Sequence, residues 1–227
     1  MINKIPSILV HTFTSLGVVF GFLALLATLN HDIQTAFLWL GIALIVDGVD
    51  GSLARKYEVK SNTPNIDGAI LDNIIDYFTY VIVPAFMVME FNMVSEGLIY
   101  FVVITILLTS CYTFSNVKLK TEDYYFQGFP AAWNLVVLYI FILDLSQITS
   151  FIFIIFCAVF TFIPVKTLHP FRVEEFRKIN LINTVLWIIS IAMLLFSNNY
   201  QDTFFVIFIV TSIWFTLITL IRTIKGE

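Results

Sequence analysis

Val46-Asp47-Gly48-Val49-Asp50-Gly51-Ser52-Leu53-Ala54-Arg55 closes one long apolar run, and Asp67-Gly68-Ala69-Ile70-Leu71-Asp72-Asn73-Ile74-Ile75-Asp76-Tyr77 opens the next. The runs themselves read as membrane-spanning helices, so four carboxylates stand where lipid would otherwise be. Charge in a membrane helix is costly, and such residues face the bundle interior with partners. Asp47 and Asp50 are three apart, and Asp72 and Asp76 are four apart. Each pair therefore shares one helix face. Four carboxylates repel unless cations sit between them, and hard oxygen ligands suit Mg²⁺ or Mn²⁺. Two pairs on facing helices are expected to clamp two such ions. Gly51, Ala54 and Gly68 leave room for a nucleotide near the backbone, and Gly48 is expected to let helices approach closely. Arg55 offers a forked donor for phosphate oxygens. The bland alternative is a chance cluster of helix-end charges at the headgroup level.

Composition supports the membrane reading. The chain has 227 residues, 59% hydrophobic and 12% charged, with mean hydropathy +0.93. A soluble domain of this size does not hide that much apolar surface. The net charge of -4 carries no nucleic-acid footprint. Cys111 and Cys157 lie in separate apolar runs and read as buried small hydrophobes rather than a disulfide pair. The first run is too long for a signal sequence and lacks a cleavage site, so it is expected to be a retained helix.

Working outward from the acids, eight spans are expected, near 8–29, 34–54, 67–88, 97–115, 129–144, 148–165, 179–197 and 203–221, each about 20 residues or somewhat fewer. No linker, repeat or low-complexity tract divides residues 1–227, so one domain is expected. All 12 Lys and Arg then fall on one side: Lys4; Arg55, Lys56 and Lys60; Lys118 and Lys120; Lys166, Arg172, Arg177 and Lys178; Arg222 and Lys225. The opposite loops carry Asp32, Glu90, Glu96, Asp144 and Asp202 without a Lys or Arg. The positive-inside rule puts both termini, and the acids, on the cytoplasmic side.

The acidic stretch resembles the signature of the CDP-alcohol phosphotransferase family, D-x2-D-G-x2-A-R followed by G-x3-D-x3-D. Here it is Asp47-x2-Asp50-Gly51-x2-Ala54-Arg55, then Gly68-x3-Asp72-x3-Asp76. The spacer Lys56–Asp67 has twelve residues, longer than the commonest form. That length is similar to the bacterial phosphatidylcholine synthases within the family. So are Val10-His11-Thr12-Phe13-Thr14, Asp76-Tyr77-Phe78-Thr79-Tyr80 with Pro84, Lys120-Thr121-Glu122-Asp123, Gly128-Phe129-Pro130 with Trp133-Asn134, and His169-Pro170-Phe171-Arg172.

The resemblance implies an all-α bundle with a six-helix core plus two C-terminal helices. It implies a homodimer in a bacterial inner membrane, and a reaction in which CDP-diacylglycerol and choline give phosphatidylcholine and CMP. It makes Asp47, Asp50, Asp72 and Asp76 the ligands of two Mg²⁺ or Mn²⁺ ions. Asp50, Gly51, Ala54, Arg55 and Gly68 become CDP-diacylglycerol contacts, and Asp76 the general base. A choline hydroxyl is a poor nucleophile, so a base beside it is required. No Ser, Cys or His in the motif forms a nucleophile–base pair, which predicts direct displacement without a covalent enzyme intermediate.

A quaternary ammonium has no N–H, so aromatic faces are its expected contacts. Tyr80, one turn beyond Asp76, is the first candidate, with Tyr124 and Trp133 beside it and Glu122 or Asp123 supplying charge. An interfacial aromatic belt is the competing explanation. His169 and Arg172 are expected near lipid phosphate or as ordinary positive-inside charge. His11 is expected to hydrogen-bond a neighbouring helix. Two other functions stay open at this point. One is the same chemistry on serine, inositol or glycerol phosphate; an anionic acceptor would call for basic residues around Asp72–Tyr80, which has none. The other is a cation transporter, which would call for acids near mid-bilayer.

Overall fold

A computed structural model describes residues 4–116, 126–163, 165–167 and 176–225. The architecture is helical: α1 (Lys4–Leu29), α2 (Ile33–Lys56), α3 (Val59–Asn62), α4 (Gly68–Asp76), α5 (Val83–Glu90), α6 (Ile99–Ser115), α7 (Trp133–Ile142), α8 (Gln147–Phe160), α9 (Arg177–Phe196) and α10 (Gln201–Lys225). One two-residue antiparallel ladder, β1 (Phe126–Gln127) with β2 (Lys166–Thr167), is added to these. The chain gathers into two compact units: Met1–Phe114 with Ala132–Ile152, and Ser115–Ala131 with Phe153–Glu227.

Among the described residues six helical stretches are long and apolar enough to cross a membrane: Ile5–Leu29, Ile33–Lys56, Gly68–Glu90, Glu96–Ser115, Arg177–Phe196 and Gln201–Ile224. They coincide with six of the eight expected spans. The other two, expected over 129–144 and 148–165, are helices of 10 and 14 residues. At 1.5 Å per residue they reach only about 15 and 21 Å, short of the roughly 30 Å hydrocarbon layer. The reason for the first is local. Pro130 and Ala131, the latter at φ 57°, turn the backbone out of the helical region, so α7 cannot begin before Trp133. Gly128 lies at φ 79°, and a Cβ there would come within 2.5 Å of the Thr161 carbonyl oxygen, so only glycine fits.

In the first unit the helix ends are built by side chains. Asp32 caps α2, accepting from the Thr35 N–H at 3.0 Å; this hydrogen bonding holds its carboxyl below the usual carboxylate range. Asp67 caps α4, accepting from the N–H groups of Ala69 at 2.9 Å and Ile70 at 3.2 Å. The spacer is folded between these helices. Val59 is buried, Ser7 Oγ donates to the Tyr57 carbonyl at 3.1 Å, and His11 Nε2 lies 3.0 Å from Thr63 Oγ1. The Thr63 hydroxyl gives its proton to the Val59 carbonyl, so His11 Nε2–H is the donor to Thr63.

Between α4 and α5 the helix widens. Over Tyr77–Ile82 it takes a π-helical turn, and the Val83 N–H bonds to the Phe78 carbonyl five residues back. Pro84 supplies the cause: it has no N–H, and in α register its ring would clash with the Tyr80 carbonyl. The wider turn relieves that clash.

α1 packs closely on this segment. A Cβ on Gly17 would lie 2.7 Å from Ile75 Cγ2, and one on Gly21 within 2.8–2.9 Å of Phe78 and Thr79. A small-x3-small face of this kind lets membrane helices approach closely. Gly48, expected to play that role, meets nothing within 4 Å and faces open space. Val81, Val83, Met87, Val102, Ile106 and Trp133 form the fully buried centre of the unit, while residues such as Ile45, Ile74 and Leu108 turn outward, as lipid solvation requires.

In the second unit α9 and α10 make a hairpin sewn by polar groups. Trp214 Nε1 donates to Asn180 Oδ1 at 3.0 Å and Asn183 Nδ2 to the Thr211 carbonyl at 3.1 Å. Such bonds stand in for the hydrophobic drive that lipid removes.

Candidate active site

The last turns of α2 carry Asp47 and Asp50, and α4 carries Asp72 and Asp76. Their three- and four-residue spacings turn each pair toward one cleft. It is lined by Thr14 and Gly17 of α1; Ala43, Val46, Asp47 and Asp50 of α2; Asp72, Ile75 and Asp76 of α4; and Thr79. Ligand oxygens of Asp47, Asp50 and Asp72 all lie within 4.8 Å of one another. Asp76 borders the same cleft one turn along α4 but stands outside that triad.

Three carboxylates this close carry a large mutual cost. At 4.8 Å and an effective dielectric near 20, each pair repels by roughly 3–4 kcal/mol. Asp50 is buried, so water relieves little of this there. A divalent cation cancels it, and an all-oxygen, carboxylate-rich donor set on two rigid helices suits a hard ion. The acidic triad is therefore able to hold a metal ion.

The other expected site residues are distributed as follows. Gly51, Ala54 and Arg55 continue α2 past the cleft; the first two are half-buried, and Arg55 is exposed with Nη2 donating to Ser52 Oγ at 3.2 Å. Gly68 opens α4, exposed, its Cβ position 3.5 Å from His11. Tyr80 is half-buried, and its hydroxyl donates to Asp47 Oδ2 at 2.7 Å. Trp133 is fully buried, and its indole N–H donates to Ser110 Oγ at 2.7 Å. Glu122, Tyr124, His169 and Arg172 lie outside the described residues.

The cleft also contains residues that the motif did not announce. Thr14 and Gly17 bring in α1, and Thr79 forms part of the wall beyond Asp76. Thr79 is anchored by donation to the Ile75 carbonyl at 3.0 Å. The legible signal was Gly17-x3-Gly21, with Thr14 three residues earlier on the same face.

Comparison with known proteins bears on this geometry directly. Residues 4–163, which include the whole cleft, match the family model for CDP-alcohol phosphatidyltransferase. The chain is 44% identical over 194 residues to the phosphatidylcholine synthase of Pseudomonas aeruginosa, covering 86% of this chain and 82% of that one. It is 39% identical over 210 residues to the phosphatidylcholine synthase of Rhizobium johnstonii, covering 92% and 87%. It is 38% identical over 197 residues to that of Borreliella burgdorferi, covering 87% and 84%. Helices able to span a membrane, converging acids at their ends and a match over most of the chain agree: this protein is a transferase of the CDP-alcohol phosphatidyltransferase family.

Proposed function

We propose that the protein is a CDP-diacylglycerol–choline O-phosphatidyltransferase, joining CDP-diacylglycerol and choline to give phosphatidylcholine and CMP. The observation that carries this is the convergence of Asp47, Asp50 and Asp72 within 4.8 Å, with Asp76 on the same cleft. The names of the relatives support phosphatidylcholine as the product.

The triad and Asp76 would hold two divalent ions, Mn²⁺ or Mg²⁺, which when bound would neutralise the diphosphate and the charge on departing CMP. Asp50, Gly51, Ala54, Arg55 and Gly68 are read as the CDP-diacylglycerol contacts. Gly51 and Ala54 keep the α2 surface low beside the acids, and Arg55 offers an exposed guanidinium to phosphate. Asp76 is read as the general base. Its carboxylate takes the choline hydroxyl proton as the choline oxygen bonds to the phosphorus bearing diacylglycerol and the bond from that phosphorus to CMP breaks. Standing outside the tight triad suits Asp76 to that task, because a base must keep one oxygen for its substrate. Glu122 and Tyr124 remain proposed contacts for the choline ammonium, and His169 and Arg172 for lipid phosphate.

We read residues 1–227 as one catalytic domain in a bacterial inner membrane, with both termini and the cleft facing the cytoplasm. All 12 basic residues support that orientation. It survives the shortness of α7 and α8, since a hairpin that crosses twice or not at all returns the chain to the same side. Eight crossings, counting α7 and α8, remain our reading of the topology. A homodimer is carried by the family resemblance alone.

The test supplies purified protein with CDP-diacylglycerol, Mn²⁺ and, separately, labelled choline, serine, inositol and glycerol phosphate. Label is expected in lipid with choline. Lipid labelled by serine or inositol and not by choline would refute the acceptor.

A further inference from the structure

The bond from the Tyr80 hydroxyl to Asp47 Oδ2 is 2.7 Å long and joins residues 33 apart in the chain. Its acceptor belongs to the carboxylate triad. Its donor sits in the π-helical turn Tyr77–Ile82 ahead of Pro84, so local backbone chemistry and a long-range contact meet at one side chain. The other tyrosine of that turn, Tyr77, spends its hydroxyl elsewhere, on the Leu107 carbonyl at 3.2 Å and beside Cys111 Sγ at 3.1 Å.

A carboxylate rotates about its last torsion in a broad, two-fold well. A short bond to Oδ2 narrows that rotation, and it leaves Oδ1 and the second lone pair of Oδ2 for an ion. Tyrosine suits the task because it has no negative charge to compete for the cation and one proton to give. Nothing in this arrangement needs the aromatic face, and Tyr80 is not among the residues lining the cleft.

We propose that Tyr80 is a positioning residue of the metal centre, holding Asp47 in its ligating orientation through Oδ2, rather than an aromatic contact for the choline ammonium. The proposal rests on the reading of Asp47 as a metal ligand given above. Groups that orient a ligand in this way are worth about 10–100-fold in metal affinity.

The experiment titrates Mn²⁺ into purified wild type, Tyr80→Phe and Tyr77→Phe, following free aquo-Mn²⁺ by electron paramagnetic resonance. Unfolding midpoints are taken without metal, and choline KM at saturating Mn²⁺ with Tyr80→Leu added to the set. Tyr80→Phe is expected to raise the Mn²⁺ Kd by about 10–100-fold, with Tyr77→Phe unchanged, metal-free midpoints alike and choline KM unaltered. An unchanged Kd in Tyr80→Phe overturns the proposal. If choline KM rises in Tyr80→Leu but not in Tyr80→Phe, which keeps the aromatic face, the ring touches the acceptor; if only the metal-free midpoint falls in Tyr80→Phe, the bond is structural. Wild type that binds no Mn²⁺ overturns both the metal reading and this role. Wild type that binds Mn²⁺ but makes no phosphatidylcholine refutes only the proposed reaction.

Discussion

Replacing Gly21 by alanine adds one methyl group where α1 meets the widened turn, and the geometry sets its cost. The new Cβ would lie 2.8 and 2.9 Å from Phe78 Cδ1 and Cε1 and 2.9 Å from Thr79 Cγ2. Ordinary carbon contacts are about 3.5–4.0 Å, so the neighbours must retreat by roughly 0.7 Å. Thr79 cannot swing aside, being buried with its hydroxyl fixed on the Ile75 carbonyl. Phe78 alone cannot clear the space, so α1 must shift. Overpacking of this kind costs about 1–3 kcal/mol, and alanine returns at most about 1 kcal/mol through helix propensity. The net expectation is a loss of about 1–2 kcal/mol. Gly41→Ala is the matched control, because its Cβ meets nothing within 4 Å; it should be neutral or stabilising by up to about 1 kcal/mol. Equilibrium unfolding in mixed SDS and dodecyl maltoside micelles reads both. Equal effects from the two substitutions, or a more stable Gly21→Ala, would refute the close approach of α1.

Asp47→Ala should weaken Mn²⁺ binding and nucleotide binding together, measured by titration of each; loss of one with the other intact would separate two roles assigned to one carboxylate. Asp67→Ala removes the acceptor for the Ala69 and Ile70 N–H groups and should cost about 1 kcal/mol of stability, with Asp67→Asn close to neutral; the same unfolding assay compares them. In a background without Cys111 and Cys157, a cysteine in place of Lys60 should react with an impermeant maleimide only from the cytoplasmic face, and one in place of Asn199 only from the other. Reversed labelling would overturn the orientation.

Much of this architecture could be read from residues 47–76 and their surroundings, for physical reasons. Helical spacing alone put Asp47 with Asp50 and Asp72 with Asp76, and hydropathy alone located the six long helices. Other features depended on contacts distant in sequence. That Asp72 rather than Asp76 joins Asp47 and Asp50 in the tight triad is set by tertiary contact, since the four-residue spacing places both on one face. The close helix approach belongs to Gly17 and Gly21 rather than Gly48, and only the packing partner tells them apart. Tyr80 did lie on the acids' side, as its four-residue offset from Asp76 implied, but its hydroxyl, not its ring, makes the contact. Trp133 reads from sequence as an interfacial aromatic, since burial against Ser110 on α6 leaves no local mark. The late start of α7 was not legible: proline at position 130 is tolerated in the first turn of a helix, and the break comes from the positive φ of Ala131, which an alanine does not announce.

The cleft bounded by Asp47 and Asp76 is proposed to carry out choline-dependent release of CMP from CDP-diacylglycerol. The most direct measurement follows labelled CMP released by purified protein in vesicles, with and without choline, Mn²⁺ and the substitution Asp76→Asn. Release is expected to need both choline and Mn²⁺, to match phosphatidylcholine formed one for one, and to disappear in Asp76→Asn while CDP-diacylglycerol binding persists. Near-normal release from Asp76→Asn, or release indifferent to choline, would contradict it.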